Sequence, residues 1–120
     1  MKVKREQNGT VTITATARFL VELMQSEQGA ADDYNPIEER GAIEAVELTT
    51  AVDEVTRRNP NEVGDATINI SQAVVDYLTC DIGLLFHVRK WLDWAEYDFV
   101  DMSYVRSGRA LQRHLERLNS

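Results

Sequence analysis

A chain of 120 residues has the length of one domain, 1–120, and leaves no room for two. With 43% hydrophobic and 28% charged residues it sits in the ordinary globular range, which excludes a disordered chain. A formal net charge of −7 favours solubility and disfavours nucleic acid and anionic lipid as partners.

That charge is unevenly spread. Residues 1–21 hold Lys2, Lys4, Arg5 and Arg18 against Glu6 alone, whereas residues 22–54 hold ten acids against Arg40. Residues 102–120 return to a basic balance, with Arg106, Arg109, Arg113 and Arg117 against Glu116. A dipolar molecule with an acidic middle is expected, and such a middle attracts a basic partner. Cys80 is the single cysteine, which excludes an intramolecular disulfide and suits a reducing compartment. No apolar run approaches the roughly 20 residues that span a bilayer. A leader or membrane span is therefore not expected, and the expected location is cytoplasmic.

Asn8-Gly9 separates residues 2–7 from 10–15 and suits a two-residue type I′ turn. The second arm alternates Val11, Ile13 and Ala15 with Thr10, Thr12, Thr14 and Thr16, the period of a strand with one buried face. A β-hairpin is expected here. Thr16 then reads as an N-cap for a helix near 17–27, with Phe19, Leu20, Leu23 and Met24 at helical spacing and Gly29 as its stop.

Asn35-Pro36-Ile37-Glu38 combines a cap, a proline at the first helical position and a capping-box carboxylate. The helix it starts is expected to run to Arg58, where Asn59-Pro60 ends it. Ile37, Ala45, Leu48, Ala51, Val52 and Val55 share its apolar face. Ala66 to Ile70 alternates again as a third short strand, and Ser71 caps the helix that follows. An interruption near Thr79-Cys80-Asp81 leads to a segment reaching about Tyr97, whose broad apolar arc marks a central helix. The last helix, near 103–118, sets Tyr104, Leu111, Leu115 and Leu118 opposite its four arginines. The expected fold is α+β: a small antiparallel sheet, hairpin plus one strand, packed with four to five helices.

Glu44-Ala45-Val46-Glu47 and Glu62-Val63-Gly64-Asp65 form an E-x-x-E and an E-x-x-D pair. Together they resemble the Mg²⁺-binding signature of the all-α nucleotide pyrophosphohydrolases of the MazG type. The resemblance covers four residues. It implies carboxylates of Glu44, Glu47, Glu62 and Asp65 projecting together from neighbouring helices, with Mg²⁺ and substrate phosphates completing the shell. Solvated acids on a surface helix are the simpler account of the same residues.

Cys80 and His87 share a helix face, but seven residues on a rigid helix hold them about 10 Å apart, too far for an activated thiolate. No E-x-x-H, H-E-x-x-H or C-x-x-C occurs, and no glycine loop that would cradle phosphate. No cofactor, resident metal or catalytic residue is therefore expected.

Trp91 and Trp94 lie with Asp93, Glu96 and Asp98 in a segment that holds five of the nine aromatic side chains between residues 86 and 99. Aromatics at helical spacing mostly fill cores. On a surface, the same indoles would anchor an interface and the acids would select a basic partner. Arg106, Arg109, Arg113 and Arg117 fall within about 80° of arc on the last helix. Such a face serves either solvation and pairing to the chain's own acids, or contact with phosphates.

The function this favours is a non-enzymatic protein-binding module that engages a basic surface. In size and charge it is analogous to stoichiometric inhibitors: immunity proteins, antitoxins and small antagonists of nucleic-acid-handling proteins. The alternatives are the Mg²⁺-dependent nucleotide hydrolase and a nucleic-acid accessory protein led by the arginine helix. Self-association through Trp91 and Trp94 is a further possibility.

Overall fold

The computed structural model describes residues 1–33, 42–79 and 102–119. In chain order these form β1 (Lys2–Arg5), β2 (Val11–Thr16), α1 (Ala17–Asp33), α2 (Ala42–Arg58), β3 (Asp65–Ile70), α3 (Gln72–Thr79) and α4 (Met102–Asn119). The fold is α+β, with a three-stranded antiparallel sheet and four helices among the described residues. The sheet order is β1-β2-β3, so the threonine-rich strand is central and the third strand pairs with it.

The hairpin differs from the two-residue type I′ expectation. The Glu6 N–H donates to the Thr10 carbonyl at 2.8 Å, and the Gly9 N–H to the Glu6 carbonyl at 3.1 Å. Gly9 has φ +86°, while Asn8 has no positive φ. The loop is thus three residues, Gln7 to Gly9: a type I turn closed by a bulged glycine. Asn8 contributes through its side chain, its Oδ1 accepting from the Thr10 N–H at 3.1 Å and the Thr10 hydroxyl at 2.6 Å. The physical reason lies in register. The observed pairing sets Val3 opposite Ile13, whereas a two-residue loop would shift it by one and set Val3 on the solvent face.

Side chains sort cleanly across the sheet. Val11, Ile13, Ala15, Ile68 and Ile70 are buried on one face beneath the helices. The other face is a polar lattice, with the Thr14 and Thr67 hydroxyls 2.9 Å apart and the Asn69 amide donating to Thr10 Oγ1 at 2.8 Å. Helical residues complete the core: Phe19, Leu20 and Leu23 from α1, Leu48 and Val52 from α2, Val74, Val75 and Leu78 from α3, and Tyr104, Leu111 and Leu115 from α4.

Both hydroxyl caps form. Thr16 Oγ1 accepts from the Phe19 N–H at 3.2 Å, and Ser71 Oγ accepts from the Val74 N–H at 3.4 Å. The helix α1 continues through Gly29 to Asp33 rather than stopping there; a mid-helix glycine costs about 1 kcal/mol, too little to end a helix that favourable neighbours continue. At the far end of α2, the Asn59 side chain clamps the loop, donating to the Val63 carbonyl at 2.7 Å and accepting from its N–H at 3.2 Å. The Asn35-Pro36 start signal, the interruption at Cys80-Asp81 and the central helix expected to about Tyr97 lie outside the described residues.

Candidate functional site

The strand order sorts charge across the sheet. At one edge, β1 carries Lys2, Lys4 and Arg5, and α4 packs beside it, bringing the chain's two basic regions together. At the other edge, β3 begins with Asp65 and lies against α2, which carries Glu44, Glu47, Asp53 and Glu54. Two strand spacings, about 10 Å, separate the edges. That is about one Debye length in physiological salt, so a bound partner responds to one edge rather than to the net charge.

Arg106, Arg109, Arg113 and Arg117 are all exposed on α4. Among the described residues no ion pair joins Arg106, Arg109 or Arg113 to an acid. Of the two structural roles expected for this face, exposure to solvent is observed for these three, and pairing to an acid is not observed among the described residues. An ion pair is observed between Arg18 and Glu22, at 3.1 Å on α1.

The four carboxylates of the E-x-x-E and E-x-x-D pairs are divided between elements. Glu44 and Glu47 lie on α2, but Glu62 occupies a loop at φ +54° and Asp65 opens β3. Glu47 is engaged elsewhere: its carboxylate accepts from the Ser71 hydroxyl at 2.6 Å and the Ser71 N–H at 3.4 Å. Among the described residues no group of three or more His, Cys, Asp or Glu side chains is placed to hold a metal ion. The second pair is therefore not on a helix, as the pyrophosphohydrolase resemblance implies it should be.

Among the described residues the concave features offer little chemistry. A cleft of about 190 Å³ between α1 and α4 is lined by Thr16, Phe19, Glu22, Ser103, Tyr104 and Ser107, below the roughly 300 Å³ at which small-molecule sites begin. A broader hollow near the hairpin is lined by Lys4, Arg5, Asn8, Thr10 and Asn69. Several of its polar groups already serve the fold: Arg5 donates to the Gln72 side chain and the Gly9 carbonyl, and Asn8 and Asn69 bond the threonines.

The convex surface is more informative. Ile43 and Val46 are 79% and 66% exposed on α2, three residues apart among the acids. A large aliphatic side chain left in water forgoes about 1.5–3 kcal/mol of burial, so a pair beside acids makes a candidate contact patch. Sequence reasoning passed over them. The available signal was their angular position, roughly opposite Leu48 and Val52 at about 100° per residue. Trp91, Asp93, Trp94, Glu96 and Asp98 lie outside the described residues.

Among the described residues no helix is long and apolar enough to cross a membrane. No family model matches the chain, and neither a curated protein nor a solved structure does.

Proposed function

We propose that this chain is a non-enzymatic protein-binding module whose acidic α2 side engages a basic surface on a partner protein. The observation that carries this reading is the exposure of Ile43 and Val46 on a helix that also bears Glu44, Glu47, Asp53 and Glu54. Apolar anchors supply affinity when buried at an interface, and the acids around them choose a positively charged rim and speed encounter. In sequence, Asp93, Glu96 and Asp98 add to the chain's acidity, and Trp91 and Trp94 are candidate anchors for the same partner. A stoichiometric inhibitor of a basic, nucleic-acid-handling protein is the kind of role this chemistry suits.

The test is affinity capture with the whole chain from a source lysate, repeated with Ile43→Asp/Val46→Asp and with Glu44→Lys/Glu54→Lys. A specific basic partner lost by both variants and weakened by salt supports the reading. Capture that ignores both changes removes it.

A second reading is favoured by three exposed arginines of α4, with no ion pair among the described residues, beside the β1 lysines; they suit a polyanion such as single-stranded nucleic acid. Phosphate contacts strengthen as salt falls, so absence of binding at about 20 mM salt would exclude it.

A further inference from the structure

We propose that the β3 edge accepts an extended, basic segment of the partner as a fourth antiparallel strand of the sheet. This rests on the preceding reading of a basic protein partner and specifies how it is held. The register decides which backbone groups are available. Because Glu6 donates to Thr10 across the hairpin, the alternation of an antiparallel ladder directs the backbone groups of Thr12 and Thr14 toward β1. Those of Val11, Ile13 and Ala15 then face Ile70, Ile68 and Ala66 on β3. The Ala17 N–H bond to the Gly64 carbonyl, at 2.9 Å, continues the same series.

It follows that Asp65, Thr67 and Asn69 direct their N–H and C=O groups away from the sheet. All three are exposed, and no backbone bond closes that edge among the described residues. Only the next group in the series is taken, since the Ser71 N–H is held by the Glu47 carboxylate. Asp65, Thr67 and Asn69, whose outward backbone groups have no partner among the described residues, are a template for strand addition, with Thr67 and Asn69 at its centre.

Charge selects the occupant. The β3 edge has no basic residue of its own, and Glu44, Glu47 and Glu54 lie within about 80° of arc on the helix packed against it. Glu62 and Asp65 stand at the strand's start. A strand carrying lysine or arginine is attracted there and repelled from β1, whose Lys2, Lys4 and Arg5 guard the opposite edge. A second copy paired β3 to β3 would bring two acidic sides together, which the same charges oppose.

The probe is an N-acetylated, C-amidated hexapeptide alternating lysine and valine, with a glutamate–valine counterpart as control. Backbone amide exchange is followed by NMR on the whole chain. At a peptide concentration tenfold above its Kd, exchange at the Thr67 and Asn69 amides should slow about tenfold, and the glutamate peptide should leave it unchanged. Thr67→Pro removes an outward donor without breaking the β2 ladder and should abolish the effect; if that variant fails to fold, Asn69→Lys gives this edge the guard β1 has. Protection at Val3 and Arg5 instead, no protection at either edge, or a β3-paired dimer in light scattering would overturn the proposal. Partner capture that survives Thr67→Pro but is lost on Glu44→Lys/Glu54→Lys would overturn strand addition while leaving the binding function intact.

Discussion

Glu47 on α2 and Ser71 at the start of α3 are joined by a 2.6 Å hydrogen bond, and Ser71 in turn caps α3 through the Val74 N–H. A carboxylate at a helix N-terminus opposes the partial positive charge of that terminus as well as orienting the capping hydroxyl. Glu47→Ala and Ser71→Ala should each destabilise the fold by about 1 kcal/mol. The double variant should cost less than the sum, because the two share one bond. Urea denaturation of the four-member cycle measures the coupling; strict additivity would show that the contact contributes nothing.

Gly9 and Glu62 make opposite predictions from the same backbone region. Gly9→Ala places a Cβ at φ +86° and should cost about 1–2 kcal/mol. Glu62 already bears that strain at φ +54°. Glu62→Gly should relieve about 1 kcal/mol or more, against an entropy cost of about 0.5–1 kcal/mol in the unfolded chain. A small net gain in denaturation midpoint is expected, and a loss would contradict the argument.

Ile13 is fully buried at the centre of the sheet, with Val3 opposite on one side and Ile68 on the other. Ile13→Val should cost about 1 kcal/mol and Ile13→Ala about 3 kcal/mol. Thermal unfolding followed by circular dichroism checks the order and the ratio.

The exposed arginines of α4 should be nearly silent in stability. Replacing Arg106, Arg109 and Arg113 with glutamine removes no ion pair among the described residues and should change stability by less than about 0.5 kcal/mol per site. A larger loss would mean that these guanidinium groups pair within the fold after all.

Much of the architecture was legible because it rests on local rules. Alternation at Val11–Thr16 and Ala66–Ile70, hydroxyls at Thr16 and Ser71, and Asn59-Pro60 after α2 each mark an element by its own chemistry. The hairpin loop was misread because Asn8-Gly9 favours one turn locally, while the Val3–Ile13 pairing, a tertiary matter, selects another. The candidate site was less legible still. Charge blocks are visible in sequence, but that β1 and α4 share one edge while α2 and β3 share the other depends on strand order. Which backbone groups face outward depends on register.

The pairing of β2 with β3 also bears on how the molecule is assembled. The hairpin forms from neighbours in sequence, but its central strand meets β3 only by closing a loop of about fifty residues (Thr16 with Asp65 at the nearer end). Local hairpins form in about 1–10 μs, whereas contacts of this sequence separation slow folding of mixed domains well beyond that. The Val11, Ile13 and Ala15 face therefore gains its β3 cover in the slow step of folding and not with the hairpin. Substitutions on β3 should slow refolding more than equally destabilising ones in the hairpin loop.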